Sequence, residues 1–368
     1  MNQKLFSLFV LVLLVVGQGY ALPRFSATYE QNCFLCHVNP SGSGIRSSYG
    51  STFYAMSELA IRPADSIDIA KYKPKIAPGI MVGADVRTLF TADDSTKGNT
   101  GLQMEGDVSF VFQPNDALAI VVQQGLSGVS QVYAKQSFQI LHSYVKAGRF
   151  RPDYGWWLDD HTAFTRAPMR WRERYFDTGI ELGIHPERWY ATFSVLNGSG
   201  TAQRDNNSQK ALLVSARYRP RLGAIKLGIG ASAYRSLEPL TELSNQEGTL
   251  TIYGPHYSLA FGKLVFLGET DWKSAKARVG SAKRNSLFTT NTLYYEWKQG
   301  ITPLVSYEFM DEDIDAKNGS VTRYAVGAQI FPTPFVEISP QIRIIENEIP
   351  GSDKKRATEA IVNLHFFY

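Results

Sequence analysis

The sequence predicts an all-β fold: a transmembrane antiparallel β-barrel of about 16 strands, preceded by a small α-helical N-terminal unit. Three observations carry that fold class. From about residue 80 onward, segments of roughly ten residues alternate apolar and polar side chains with a period of two. Leu102, Met104, Val108, Phe110 and Phe112, for example, set an apolar face against Gln103, Glu105, Asp107, Ser109 and Gln113. The connections between such segments alternate short and long, the rule for barrels with tight turns at one end and loops at the other. The chain closes with Ala360, Val362, Leu364, Phe366 and Tyr368 at alternate positions, a last strand ending on an aromatic residue. A soluble sandwich would look similar strand by strand, but it has no reason to alternate its connections.

In chain order, residues 1–21 read as a secretory signal. Lys4 supplies the positive start, Leu5 to Val16 the apolar core, and Gly19-x-Ala21 the small residues before a cleavage site at Leu22. An apolar run of about 12 residues falls short of the roughly 20 a spanning helix needs. Cleavage is therefore expected rather than anchoring.

Residues 22–76 form a unit organised around Cys33-Phe34-Leu35-Cys36-His37. C-x-x-C-H is the attachment pattern of a c-type haem, in which two thiols add across the vinyl groups and the imidazole ligates the iron. Cys33 and Cys36 are the only cysteines in 368 residues, and they follow an export signal. Other cysteine chemistries fit less well. Zinc would need a fourth ligand, a thioredoxin-like pair would need a βαβ setting, and a plain disulfide leaves His37 unexplained. One covalently attached haem c is expected, bound by Cys33, Cys36 and His37, with His37 as axial ligand. After the turn-rich stretch 39–44, Ser47 to Ala60 sets Tyr49, Phe53, Met56 and Ala60 at three- and four-residue spacing. That spacing predicts a short α-helix with this face toward the haem. So small a unit has little core of its own, which makes the haem its nucleus. Pro63, Pro74 and Pro78 mark a linker.

Residues 77–368 make the barrel. Ile180, Leu182 and Ile184 alternate with Gly179, Glu181 and Gly183, and Val336, Ile338, Ile342 and Ile344 with Glu337, Ser339, Gln341 and Arg343. Charges thus recur on the inner face. Short connections are expected near 114–116, 139–142, 185–187, 219–222, 262–263, 298–301 and 332–334. Longer ones are expected near 91–100, 151–175, 198–209, 236–247, 275–285, 311–320 and 346–357, with one short exception near 127–129. Charged residues at 20% and aromatic residues at 12%, with mean hydropathy −0.19, suit a barrel with a polar lumen. A net charge of +4 over this length argues against nucleic acid as a partner.

The longest connection, 151–175, carries Arg151, Arg166, Arg170, Arg172 and Arg174 beside Asp153, Asp159, Asp160 and Glu173. Its Trp156 and Trp157 need burial, so the loop is expected to fold inward and narrow the lumen. Two residues compete as the second axial ligand. Met56 is close in sequence to the haem motif, so that loop closes at little entropic cost, and His161 lies on the inward loop. His256 and His365 fall at lumen-facing positions, whereas His142 and His185 fall in short turns.

Two resemblances cover different parts of the chain. Gly148-Arg149-Phe150, Tyr154-Gly155, the arginine-bearing loop and Gly179 to Gly198, ending Val195-Leu196-Asn197-Gly198, resemble the phosphate-selective outer-membrane porins. The whole arrangement of signal, single C-x-x-C-H and barrel is similar to the fused monohaem cytochrome c–outer-membrane porin family. That resemblance implies a bacterial outer-membrane location, with the haem segment on the periplasmic side or inside the barrel. It implies electron transfer rather than enzyme catalysis, with oxidation of extracellular ferrous iron as the associated reaction. The expected function is transfer of electrons across the outer membrane through one haem. The expected partners are a periplasmic cytochrome or other redox carrier, an extracellular electron donor or acceptor, and outer-membrane lipid. The alternative is a solute-diffusion porin whose haem segment is a plug or sensor, which the porin-like stretch and the arginine loop favour.

Overall fold

The computed structural model describes residues 23–42, 44–64, 74–94, 98–125, 130–166, 168–169, 175–199, 205, 209–241, 244–277, 283–349, 351 and 353–368. The expected signal, residues 1–21, lies outside the described residues, as do most of the linker and Arg170, Arg172, Glu173 and Arg174 of the long loop.

The period-two segments become strands: β1 Ile80–Asp93, β2 Gly98–Phe112, β3 Leu118–Gly125, β4 Ser130–Phe138, β5 Ser143–Phe150, β6 Asp177–Ile184, β7 Trp189–Leu196 and β8 Ala211–Tyr218. The circuit continues with β9 Ile225–Thr241, β10 Ser244–Phe261, β11 Leu264–Ala277, β12 Arg284–Tyr295, β13 Ile301–Asp311, β14 Val321–Ile330, β15 Val336–Asn347 and β16 Lys355–Phe367. Each pairs antiparallel with the next, and β16 returns to β1, with Phe367 opposite Asp85 and Glu359 opposite Asp93. The result is a closed barrel of 16 strands, as expected. Closure leaves no strand edge unpaired. Two short strands, Lys75–Ala77 and Arg221–Leu222, pair only with the bases of β1 and β9.

The outward face carries two aromatic belts with aliphatic residues between them. Phe112, Trp189, Phe261, Tyr295 and Phe366 are exposed near the short turns, and Phe90, Tyr253, Tyr307 and Tyr324 nearer the loops. On β10, Phe261 and Tyr253 are eight positions apart. At about 3.4 Å per residue and a tilt of about 40°, that is roughly 21 Å along the barrel axis, close to the apolar band of a membrane barrel.

The tight turns fall where the sequence places them, including 139–142 and 262–263. Two of the expected long loops are shorter than that. Strands β1 and β2 run to Asp93 and from Gly98, and β9 and β10 run to Thr241 and from Ser244. There the strands continue past the apolar band as hairpin, because polar residues can extend a ladder that water, rather than lipid, surrounds.

The N-terminal segment lies at the short-turn end, inside the sheet. Helix α1, Pro23–Tyr29, begins with proline at a position where the missing N–H costs nothing. Lys226 Nζ donates to Thr28 O, and Arg24 Nε to Gln329 Oε1 at 2.9 Å. Further on, Lys135 Nζ donates to Val38 O at 2.9 Å, Ile61 N to Phe331 O at 2.8 Å, and Gln299 Nε2 to both Ser57 O and Ala60 O at 2.9 Å. The segment therefore leans on walls contributed by β4, β9 and β14 and on the turns around Gln299 and Phe331. Phe25, Tyr54, Ala55 and Leu59 of the segment share one apolar cluster with Phe331 and Phe367 of the barrel. Its core is borrowed from the lumen.

The second helix differs from expectation. Tyr49–Glu58 winds as a π-helix, with Leu59 N donating to Tyr54 O at 3.0 Å, a step of five. A wider helix turns its faces with a longer period. Tyr49 and Phe53 stack on each other, with ring centroids 5.4 Å apart, and the face that the α-helical spacing selected is not the one that meets the cavity described next.

Candidate functional site

The C-x-x-C-H motif is held in a small frame of backbone hydrogen bonds. Cys33–Leu35 form one 3-10 turn, and His37 N donates to Cys33 O at 3.0 Å. The chain then doubles back: Val38 N donates to Ile45 O at 3.2 Å, Ser47 N to Cys36 O at 2.9 Å, and Asn39 Nδ2 to Gly42 O at 3.0 Å. Gly44 adopts φ +64, a conformation glycine takes without strain, and its carbonyl faces His37 Nδ1 at 3.2 Å. An imidazole that donates from Nδ1 presents Nε2 as its ligating nitrogen. Gly50 of the π-helix packs against the motif so closely that a Cβ there would lie 2.4 Å from Cys36 O. Phe34 stacks on His185, in the turn after β6, with centroids 4.2 Å apart.

Cys33 and Cys36 are both buried and form no disulfide. Burial pushes both thiols up, Cys36 to about 12 with Cys33 beside it adding to the rise. Thiols held protonated are poor nucleophiles for disulfide exchange, which argues against the thioredoxin-like reading.

Cys36 and His37 line a partly open cavity. On the segment's side it is lined by Phe25, Arg46, Gly50, Tyr54, Ala55 and Leu59. The π-helix residues among these are spaced by four and five, the period of that helix. Asp85, Arg87, Glu337 and His365 line the barrel wall, and Arg151, Trp157, Asp159, His161 and Arg166 line the third side from the long loop. A flat apolar macrocycle with two carboxylate arms needs thiols at its edge, an imidazole on its axis, apolar walls and cations. Cys36, His37, apolar side chains and cations line this cavity, and Cys33, which does not line it, is buried three residues before Cys36, so the motif and its surroundings supply the donor set of a c-type haem.

The loop after β5 does fold inward. Trp156 and Trp157 are only 6% and 9% exposed. Tyr154 Oη donates to Asp271 at 2.6 Å, Trp156 N to Glu269 at 2.6 Å, and Phe164 N to Glu308 at 2.8 Å, which pins the loop to β11 and β13 across the lumen. Arg151 and Arg166 sit over the Trp157 ring, at 4.5 and 4.1 Å from its centre.

His161 is presented by a clamped turn. Asp160 accepts from Thr162 N at 2.9 Å and from Thr162 Oγ1 at 2.6 Å. Arg343 of β15 donates to Asp160 at 2.6 Å and to Thr162 Oγ1 at 2.9 Å, and Arg323 of β14 donates to Thr162 O at 3.0 Å. Burial acts to raise the Asp160 carboxyl, but Arg343 and Arg323 outweigh it and hold it below the usual range. Both neighbours of His161 are thus fixed to the wall.

The structure separates the two ligand candidates. His161 lines the cavity with His37, whereas Met56 is buried but belongs to a different face of its helix. Met56 does not line the cavity; the π-helical winding turns Tyr54 and Ala55 to it instead. His365 also lines the cavity, yet its Nδ1 and Nε2 face Glu337 at 3.1 Å and Asp85 at 3.2 Å. His256 faces the lumen as expected, against Arg217 at 3.0 Å and the Trp156 ring. The Asp85–His365–Glu337 group and the Arg343–Asp160 clamp have no sequence signal, because each joins strands far apart in the chain.

No protein-family model and no curated protein sequence matches the chain. Solved structures do match in fold. OmpT of Vibrio cholerae, folded in vitro, superposes with TM-score 0.59 at 10% identity, covering 78% of this chain and 97% of that one. The anion-selective porin from Comamonas acidovorans gives 0.58 at 9% identity, covering 78% and 99%. OprB of Pseudomonas putida gives 0.55 at 10% identity, covering 85% and 100%. The chain therefore has the barrel fold of outer-membrane porins.

Proposed function

We propose that this chain is an outer-membrane electron-transfer protein carrying one covalently attached haem c inside a porin-type barrel. The observation that carries the proposal is the shared cavity, walled by Cys36 and His37 from the N-terminal segment and by His161 from the inward loop. Cys33 and Cys36 would hold the group, and His37 and His161 would supply its iron ligands. Bound there, haem supplies a one-electron couple whose potential is set by its axial ligands, its burial and the hydrogen bonds around it. The chain's own residues do the rest. Gly44 fixes the His37 tautomer, the Arg343 clamp fixes His161, and the segment and loop fill the lumen so that water and solutes are excluded.

An insulating bilayer stops electrons as it stops ions, so a redox centre has to sit within a protein that spans it. The short-turn mouth would meet a periplasmic cytochrome or other carrier, and the loop end an extracellular donor or acceptor. Ferrous iron is the donor that the family resemblance suggests. The second reading, a solute-diffusion porin with the haem segment as plug, is favoured by the likeness to porin structures, one of them described as anion-selective.

Liposomes separate the two readings. With purified protein reconstituted, an outside reductant is expected to reduce an acceptor trapped inside while trapped sugar stays in. Sugar leak with no reduction would replace electron transfer by diffusion.

A further inference from the structure

The C-x-x-C-H motif reaches the surface of the short-turn mouth through a run of stacked rings. Phe34, the residue after Cys33, packs on His185 with ring centroids 4.2 Å apart. His185 stacks in turn on His142, at 5.8 Å and 21° from parallel, and Tyr144 backs it at 6.3 Å. Phe34 and His185 are half-buried and His142 is exposed. The run therefore leads outward from the motif, and neither the seat of the N-terminal segment nor the cavity accounts for it.

Beside His142, the turn that joins β4 to β5 is strained. Leu141 and His142 adopt φ +50 and +46, the left-handed region that side chains other than glycine rarely enter. His142 N donates to Gln139 O at 3.2 Å and His185 N to Leu141 O at 3.4 Å, so the turn is tied to the one after β6. Backbone strain of this kind collects at functional sites. The turn also presents Ile140 and Leu141 at 75% and 60% exposure. Among the described residues, no large apolar side chain is more exposed than Ile140. A tight turn in water has no need of two such residues.

The ring contacts decide which way this corner looks. His142 and His185 keep the parity of Tyr144 and Glu181, both buried toward the lumen. His185 also touches Phe34, which belongs to the segment inside the sheet. The stack therefore borders the aqueous mouth rather than the lipid-facing wall. Burial holds the His185 imidazole below its ordinary range, with His142 beside it adding to the fall. A neutral ring costs less to desolvate than a charged one. An apolar tip beside such a ring, joined by packed matter to the haem motif, suits a soluble partner that must bring its own cofactor edge close with water excluded. Resting on the proposed function, we propose that the corner formed by Ile140, Leu141, His142 and His185 docks a soluble one-electron carrier whose cofactor edge is ringed by apolar side chains. One electron passes between that carrier and the haem of this chain. His142, His185 and Phe34 are the medium it tunnels through and are not themselves oxidised; no bond forms or breaks and no proton moves.

The test uses the full-length holo-protein in lipid nanodiscs, with a blue-copper protein as the carrier because its colour is separate from that of haem. Two quantities are read: the Kd for the oxidised carrier, which involves no electron flow, and the rate of electron passage at saturating reduced carrier. Changing Ile140 and Leu141 together to Glu is expected to raise the Kd by about tenfold with the saturating rate kept. His185→Ala, which opens a gap in the stack, is expected to lower the saturating rate severalfold with the Kd kept, and His185→Phe to restore it. The heat-modifiable gel band checks folding, and Ile140→Glu alone serves if the double variant fails it. A wild-type Kd in the Glu variants overturns the inference and makes the tip a lipid contact. An unchanged rate in His185→Ala overturns the route. Carrier binding that still depends on Ile140 and Leu141, in a protein that passes no electrons, would overturn the proposed function and leave the docking site standing.

Discussion

The two inserts that fold into the lumen are held by overlapping but different sets of contacts. The N-terminal segment is gripped through its backbone carbonyls, which accept from Lys135, Lys226 and Gln299 of the wall. The inward loop is gripped through backbone N–H groups that donate to Glu269 and Glu308, through the carbonyls of Gly155 and Thr162, which accept from Arg217 and Arg323, and through Asp160, which Arg343 and Arg323 hold. Both inserts use wall cations, and the loop adds a clamp that requires the Asp160 carboxylate to remain charged. The segment should therefore keep its seat under conditions that release the loop, and the cavity between them has one firm side and one conditional side.

The largest effect expected from that contrast is all-or-none. His161→Ala should convert a low-spin haem to high spin in optical and EPR spectra, because the loop side then offers no ligand. Met56→Ala should leave the spectrum unchanged while costing about 2 kcal/mol or more in packing. A wild-type spectrum from His161→Ala would place the distal ligand elsewhere.

A second, intermediate effect concerns the clamp. Arg343→Ala leaves the half-buried Asp160 beside a single remaining arginine. Breaking a fully buried pair by removing one partner costs about 3 kcal/mol; with Asp160 partly exposed the loss should be smaller, and it should fall on the loop alone. Limited proteolysis should cut near residues 160–165 in the variant, with the N-terminal segment still protected. Equal cleavage of both inserts would show that they are one cooperative unit.

The smallest effect is in pH. Asp160 is held below its ordinary value of 3.8 in the folded loop. A depressed carboxyl contributes stability above its unfolded pKa and loses it as pH falls through the folded one. The loop's protection should thus decline progressively below about pH 4, with hydrogen exchange at Ala163 rising before that at His37. Simultaneous loss would remove the distinction between the inserts.

The difference between them also governs what the sequence could reveal. C-x-x-C-H stands out in the sequence because Cys33, Cys36 and His37 fall within one short stretch. The barrel was readable because a period of two is local, and the inward loop because two adjacent tryptophans need burial. Arg343 and Asp160 are 183 positions apart, and nothing in the strand pattern distinguishes Arg343 from any other polar inward residue. Met56 and His161 were equal candidates; the face holding Met56 was drawn on a helical period of 3.6, and the π-helix changed that period. The long hairpin of β9 and β10 was read as a loop because its polar residues, beyond the apolar band, lose the alternation that marks a strand.

The burial of the thiols has a consequence for how the protein is made. Cys33 and Cys36 are 7% and 2% exposed, inside a sheet whose first and last strands are zipped from Asp85 to Asp93. No enzyme that forms thioether bonds could reach them there. In the proposed holo-protein, haem must therefore be joined to the chain while β1 and β16 are still apart. The seam between those strands then acts as a lock on biogenesis: a chain that closes early is permanently barred from its cofactor, and the order of maturation is written into the topology.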